Sequence, residues 1–149
     1  MVKLIQKIIN IVFIIIIVIL AGYFILRLTG VVTIYRVETG SMESNIHIND
    51  YVLAMKQKEY KENDVITFKT KDIFVTHRII KIEDNKIITK GDANNDEDEI
   101  IELNQITGKV IYTGGVLNFI INYKLVIVAV MLIIYLISCY INSLDKKAE

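Results

Sequence analysis

Three residue types that together can perform acyl transfer occur along this chain in the order serine, histidine, aspartate. Ser41 follows a glycine, which leaves it in a sterically open turn, and His77 stands in a stretch that alternates apolar and polar residues. An acidic run at residues 92–102 supplies several carboxylates. A serine nucleophile needs a base to accept its proton, and a carboxylate can orient that base. Because a long apolar segment ends shortly before Ser41, these residues predict a membrane-anchored serine protease.

Ser41 and His77 each have a plainer structural interpretation. A lone Gly-Ser pair most often marks a turn at the end of a strand. On an extended strand His77 shares a face with apolar neighbours, and such a histidine is more often a half-buried structural residue. The other histidine, His47, lies among asparagines in a polar turn and is interpreted as solvated. Neither residue identifies a site by itself.

The acidic run allows three interpretations: a solvated loop, a calcium site or the orienting carboxylate of a triad. The first, third and fifth positions of an EF-hand pattern would be Asp92, Asn94 and Asp96. However, Glu97 replaces the glycine of the sixth position, and Leu103 replaces the glutamate of the twelfth. No helical pattern flanks the run. We therefore expect no bound metal.

Two apolar segments are long enough to cross a bilayer. Residues 8–26 contain no charged residue, and at about 1.5 Å per residue they span about 28 Å, close to the hydrocarbon thickness. This segment is longer than the apolar region of a cleavable signal peptide, and no small-x-small motif follows it, so we favour a permanent helix. Residues 125–141 form a second uncharged segment, extended by residues 116–123. Lys124 lies between these parts and can extend its ammonium to the interface.

The lysines predict how the chain is oriented in the cell membrane. Two lysines precede the first apolar segment and two follow the second, and positive charges favour the cytoplasmic side. These residues are Lys3, Lys7, Lys146 and Lys147. Both chain ends are then cytoplasmic, and the region between the segments is extracytoplasmic. Arg27 and Arg36 lie on the proposed outer side and weaken this argument.

The region between the two apolar segments alternates and is rich in β-branched residues. Strands are predicted at residues 31–37, 51–55, 65–69, 73–82, 86–90 and 109–113. Turn-like breaks separate them, and Gly114-Gly115 forms a hinge before the second segment. The chain is therefore expected to be mostly β, with a small antiparallel β domain between two transmembrane α-helices. The expected organisation has four parts. The N-terminal cytoplasmic end and the first helix occupy residues 1–30, and an extracytoplasmic catalytic β domain occupies residues 31–115. The second helix follows at residues 116–142, and a cytoplasmic tail at residues 143–149.

Composition excludes some classes of protein. Seventeen Lys and Arg residues balance seventeen Asp and Glu residues, whereas a nucleic-acid-binding protein needs a basic face. The single cysteine, Cys139, cannot form an intrachain disulfide, so cysteine use does not identify the compartment. We expect neither a nucleic-acid partner nor a cofactor.

In combination, the motifs resemble type I signal peptidase, in particular its endoplasmic-reticulum-type branch of eukaryotic, archaeal and SipW-like enzymes. That branch has Gly-Ser-Met, Thr-His-Arg and Lys-Gly-Asp boxes, which stand here as Gly40-Ser41-Met42, Thr76-His77-Arg78 and residues 90–98. Residues 63–68 and 108–110 resemble two further elements of the family. The bacterial housekeeping branch uses lysine as its base, and this chain has histidine at that position.

The resemblance implies a role for each matching residue. Ser41 matches the nucleophile, His77 the general base and Asp98 the aspartate that orients the histidine. Asp92 matches a second, supporting aspartate, which at a strand end is expected to accept backbone N–H bonds in a turn. Thr39 matches a position where the family often has a hydroxyl residue near the oxyanion.

The resemblance also implies the fold and the activity. Strands would enclose a membrane-facing groove, in which a membrane-bound serine endopeptidase cleaves signal peptides from secretory preproteins at the outer membrane surface. Small side chains at the −1 and −3 positions would fit shallow apolar pockets. The partners are then preproteins and the lipid bilayer, and accessory membrane subunits stay unspecified. Ser44 stands where the family usually has proline, a departure that reduces the expected rigidity of this loop.

The sequence raises three alternatives. A catalytically silent, membrane-anchored β domain that binds or scaffolds another protein would have the same spans and strands. A serine–lysine protease would need a lysine base, but the nearest candidate, Lys81, lies about 13 Å from His77 along an extended strand, too far for one site. Finally, Asp96 could take the place of Asp98 if the loop register differs.

Overall fold

The computed structural model describes residues 2–84 and 86–148; Met1, Asn85 and Glu149 lie outside the described residues. The predicted turn at residues 83–85 and the predicted C-terminal tail each include one of these positions. The side chains of Lys3, Lys146 and Lys147, on which the orientation depends, also lie outside the described part. The chain forms two compact units, of which one contains most of the two long helices and the other contains Leu26–Asn118.

The helical unit contains most of α1 (Val2–Leu28) and α2 (Gly115–Ala148). Both helices are apolar and long enough to cross a membrane, by length and composition, over Leu4–Leu28 and Gly115–Leu144. Their mean hydropathies are 3.0 and 2.5, and almost none of their residues are buried within the chain. Such exposure is what a lipid-facing helix requires. Residues 143–148, expected as a tail, continue α2.

Side-chain contacts between α1 and α2 occur within this unit. The rings of Phe13 and Tyr135 stack with their centroids 4.9 Å apart. The Gln6 amide donates to the Ser138 carbonyl at 3.2 Å. In a lipid environment a polar side chain of an apolar helix needs such a partner, because lipid offers none.

The second unit is a seven-stranded antiparallel sheet in the order β1-β2-β7-β3-β4-β5-β6. Its strands are β1 (Val32–Arg36), β2 (Tyr51–Met55), β3 (Val65–Thr70), β4 (Ile73–Glu83), β5 (Lys86–Lys90), β6 (Ile101–Glu102) and β7 (Ile106–Thr113). The mostly β, antiparallel fold flanked by two apolar helices, predicted from the sequence, is thereby confirmed.

The observed strands follow the predicted ones closely, with two differences. The sequence missed β6, which has only two residues and is followed by a 3-10 turn at Leu103–Gln105. Two residues are too few to show alternation. In addition, β7 begins at Ile106 and not at residue 109, because Gly108 interrupts its apolar pattern.

Two clusters of buried side chains form the core of the sheet domain. The first consists of Ile66, Phe68, Ile79, Ile87, Ile101 and Ile106. The second consists of Met42, Ile46 and Val52, and it packs against partly buried residues that include Val37 and Val110. Met42 and Ile46 come from the connection between β1 and β2. This connection is therefore held against the sheet by apolar burial, worth about 1.5 to 3 kcal/mol for each large side chain.

Candidate active site

His77 lies in the middle of β4, where the strand alternation turns its side chain toward the core. The residue is only 6 % exposed, and its position pairs with Ile66 of β3. Its ring meets Phe68 edge-on, with the centroids 6.4 Å apart. A polar ring buried among apolar side chains needs hydrogen-bond partners. Those partners come from two separate loops.

The two ring nitrogens of His77 contact Ser41 and Asp98. Nε2 lies 2.9 Å from Ser41 Oγ, and Nδ1 lies 2.5 Å from Asp98 Oδ2. An ionised carboxylate can only accept, so Nδ1 carries the proton and Nε2 accepts from the serine hydroxyl. This is the order of partners in a serine–histidine–aspartate triad. The structure thus brings together three residues that are 21 and 36 positions apart in sequence.

Ser41 is positioned by a connection between β1 and β2 that we name the Ser41 loop (residues 38–50). A hydrogen bond of 3.1 Å from the Glu43 N–H to the Gly40 carbonyl closes a turn in which Ser41 is the second residue. Met42, only 1 % exposed, anchors this turn in the core. The Ser41 hydroxyl is consequently directed toward His77 by a loop whose neighbouring residue is fixed by packing.

A second loop, between β5 and β6, approaches the Ser41 loop from the other side. The Ala93 N–H donates to the Ser41 carbonyl at 2.9 Å. The backbone of Gly91 comes so close that an added Cβ would lie 2.6 Å from the same carbonyl oxygen. Any other residue at position 91 would bring its Cβ into a steric clash with the Ser41 carbonyl oxygen, so the close contact requires glycine. The two loops therefore fix each other next to His77.

Asp98 is held by a residue that the sequence did not single out. The buried hydroxyl of Thr89 donates to Asp98 Oδ2 at 2.7 Å, and the Asp98 N–H donates to the Thr89 carbonyl at 2.8 Å. These bonds orient the carboxylate that faces His77. The only sequence signal was alternation, which places Thr89 on the same face of β5 as Ile87.

Asp92 has a different environment from Asp98. Arg78 donates to it in a bidentate pair, from Nε to Oδ1 at 2.8 Å and from Nη2 to Oδ2 at 2.7 Å. Asn45 of the Ser41 loop also donates, at 2.7 Å. The hydrogen bonds from Arg78, opposed by burial and aided by Asn45, hold the pKa of Asp92 below its ordinary value. The partners are side chains and not the backbone N–H groups that the sequence suggested.

The remaining sequence candidates lie apart from the His77 ring. Asp96 is exposed, and Asp98 is the aspartate that contacts His77. Lys81 is 52 % exposed along its side chain and pairs with Glu83 at 2.7 Å, which disfavours it as a base. His47 is exposed, as expected. Thr39 is exposed two residues before Ser41 and lines the same groove as Ser41.

An open groove of about 550 Å³ runs past Ser41 and His77. Its apolar lining includes Tyr35, Val37, Phe74 and Val75. The rings of Tyr35 and Phe74 approach to 4.9 Å between centroids. Arg36, Glu38 and Asn94 add polar groups to the same lining. A groove with partly apolar walls can hold an extended chain next to the Ser41 hydroxyl.

Comparison with known protein families identifies the class of this chain. The family described as "Signal peptidase, peptidase S26" matches residues 5–101, a range that contains Ser41, His77 and Asp98. The match covers well over half of the chain, so the chain belongs to the peptidase S26 family of signal peptidases. No curated protein sequence gives a significant match. Family membership supports a peptidase whose substrates have signal peptides.

Proposed function

We propose that this chain is a membrane-bound serine endopeptidase that cleaves signal peptides from secretory preproteins with Ser41, His77 and Asp98. The observation that supports it most is the continuous hydrogen-bonded series from Ser41 through His77 to Asp98. Nothing in a silent scaffold would require these three side chains to meet. Histidine at the base position favours the endoplasmic-reticulum-type branch of the family over the branch with a lysine base.

The geometry supports a two-step acyl transfer. As Ser41 Oγ attacks the scissile carbonyl, its proton passes to His77 Nε2, and the imidazolium then protonates the leaving amine. Water, deprotonated by the same imidazole, hydrolyses the acyl-enzyme. Asp98 holds the Nδ1–H tautomer and stabilises the cation that forms. The Ser41 backbone N–H, with the Thr39 hydroxyl nearby, is the proposed donor to the oxyanion.

The bilayer and the preprotein are the proposed partners. A signal peptide places its apolar segment in the membrane, so its cleavage site and a membrane-anchored nucleophile share a small volume. The two candidate spans supply the anchor. The apolar part of the groove next to Ser41 suits the small, uncharged side chains that precede such cleavage sites.

The decisive experiment is cleavage of a preprotein by the purified full chain in detergent or liposomes. Ser41→Ala should abolish cleavage, because it removes the nucleophile while leaving the loop backbone intact. Ser44→Ala, at an exposed position of the same loop, is the matched control and should cleave normally. Cleavage by Ser41→Ala at the wild-type rate, or no cleavage by the folded wild type, would overturn the proposal.

A further inference from the structure

Backbone hydrogen bonds close the base of the Ser41 loop between Val37, the residue before the loop, and its last two residues, Asn49 and Asp50. The Val37 N–H donates to the Asp50 carbonyl at 2.8 Å, and the Asn49 N–H donates to the Val37 carbonyl at 2.9 Å. β2 begins at the next residue, Tyr51. Any movement of Asp50 would therefore be passed to both ends of the loop that contains Ser41.

The side chain of Asp50 is fixed by two donors. Its Oδ2 accepts the His47 N–H from within the loop at 3.0 Å. Its Oδ1 accepts the Asn118 amide, from Nδ2, at 2.6 Å. The carboxylate is 16 % exposed, so it depends on these protein donors more than on water.

Both the oxygen and the nitrogen of the Asn118 side-chain amide form hydrogen bonds where the Ser41 loop meets β2. While Nδ2 donates to Asp50, Oδ1 accepts the Tyr51 N–H at 2.7 Å. The Tyr51 carbonyl in turn accepts the Gly114 N–H at 3.2 Å. Asn118 lies in the first turn of α2. It thus binds the residue that ends the Ser41 loop and the residue that begins β2.

The charge state of Asp50 agrees with this arrangement. Burial is the largest single influence and acts to raise the pKa of Asp50, but the hydrogen bonds from the His47 backbone and the Asn118 side chain, together with the nearby His47 imidazole, lower the pKa overall. The ionised carboxylate is the form to which an amide donor binds most strongly.

We propose that Asn118 is a positioning residue, which fixes the base of the Ser41 loop through Asp50 and so keeps Ser41 within reach of His77. The proposal rests on the proposed function for its catalytic consequence. Asn118 lies outside residues 5–101, the range that the family comparison matches. The first turn of α2 is then part of the scaffold of the candidate active site.

The first test compares Asn118→Ala with Asn122→Ala, an exposed asparagine one turn further along the same helix. In the full-length protein, Asn118→Ala should lower kcat for preprotein cleavage about tenfold with little change in KM, as expected for loss of a hydrogen bond to a charged group. Amide exchange across residues 38–50 should accelerate about tenfold, while exchange across β3 and β4 stays at the wild-type rate. Asn122→Ala should change neither quantity.

The second test exchanges the amide and the carboxylate of the Asn118–Asp50 contact, so that a hydrogen bond can form again in the opposite direction. Asn118→Asp alone places two carboxylates against each other. Asp50→Asn alone leaves one amide oxygen for two donors, the His47 N–H and Asn118 Nδ2, so one of these donors faces the new NH2 group. In the double variant, the new amide at position 50 can donate to the new carboxylate at position 118, which still accepts the Tyr51 N–H. We expect both single variants to be impaired in kcat and in loop exchange, and the double variant to recover most of both.

Three results would overturn the inference: unchanged loop exchange in folded Asn118→Ala, equal effects of Asn118→Ala and Asn122→Ala, or a double variant no better than its worse parent. Amide exchange needs no activity, so it separates this inference from the proposed function. If the wild type cleaves no preprotein but the Asn118 variants still loosen residues 38–50, the proposed function fails and the structural role of Asn118 stands.

Discussion

The chemistry proposed for this chain depends on one imidazole with two occupied nitrogens. His77 is nearly inaccessible to water, and the groups that contact its nitrogens are the Ser41 hydroxyl and the Asp98 carboxylate. Because the ring belongs to a strand and not to a loop, its position depends on the sheet register. Since Ser41 and His77 are joined by a hydrogen bond, their contributions to turnover should depend on each other.

We predict that Ser41→Ala and His77→Ala each reduce turnover by about 10⁶, and that the double variant loses little more. Without its base the serine is a poor nucleophile, and without its nucleophile the histidine has no proton to accept. Turnover of a preprotein by the two single variants and the double variant measures this. Losses that multiply would show that His77 does not act on Ser41.

The three aspartates of the acidic run should differ sharply. Asp98→Asn is expected to leave the fold intact but favour the wrong tautomer of His77, which lowers turnover by about 10⁴. Asp96→Asn, at an exposed position of the same loop, is the control and should retain activity. Turnover and the thermal midpoint should be measured together. A folded but inactive Asp96→Asn beside an active Asp98→Asn would reverse the assignment.

At the scale of elements, one ion pair joins a strand to both loops of the site. Arg78 projects from β4 to Asp92 in the loop after β5, and Asn45 of the Ser41 loop shares the same carboxylate. The Arg78 guanidinium also donates to the Asn63 carbonyl at 2.9 Å. Asp92 therefore holds together the elements around the candidate active site, although its hydrogen bonds go to Arg78 and Asn45 and not to His77.

We predict that Asp92→Asn lowers stability by about 1 to 2 kcal/mol at neutral pH, the scale of a charge-assisted hydrogen-bonded pair. The folded-state pKa of Asp92 lies below its ordinary value of 3.8. Its stabilisation is therefore complete above that value and is lost as the pH falls through the lower folded-state pKa. The thermal midpoints of wild type and variant should converge in that acid range, whereas Asp96→Asn should follow the wild type throughout. A gap that stays constant down to that range would contradict the role of the ionised carboxylate.

At the scale of the whole molecule, the proposed function requires the sheet domain to lie outside the membrane. Among the described residues, two helices are long enough to span, and if both span, the segments before α1 and after α2 lie on the same side. From the lysines in these segments we predict that this side is the cytoplasm.

Reporter fusions at Lys90 and at the C-terminal residue should fall on opposite sides of the membrane, with Lys90 outside. A fusion near the N-terminus is the control and should report the same side as the C-terminal one. Fusions at Lys90 and the C-terminus on the same side would mean that α2 does not cross the bilayer.

The sequence alone determined those features that depend on local pattern. Alternation of β-branched residues predicted most strands to within a few positions and placed His77 on the face it shares with Ile79, because strand geometry repeats every two residues. Apolar length predicted both long helices. The resemblance of three short boxes to those of a signal peptidase branch indicates Ser41, His77 and Asp98 as candidate catalytic residues from the sequence alone.

Only the tertiary structure decided which of these residues meet. Asp92, Asp96 and Asp98 are alike in type and close in sequence, and the path of the loop brings Asp98 to His77 and Asp92 to Arg78. Thr89 and Asn118 belong to none of the three boxes. Each was found only through its contact with an aspartate, Asp98 at 9 positions and Asp50 at 68 positions along the chain. Periodicity specifies the face on which a side chain lies, but loop closure and packing between distant segments decide which partner it reaches.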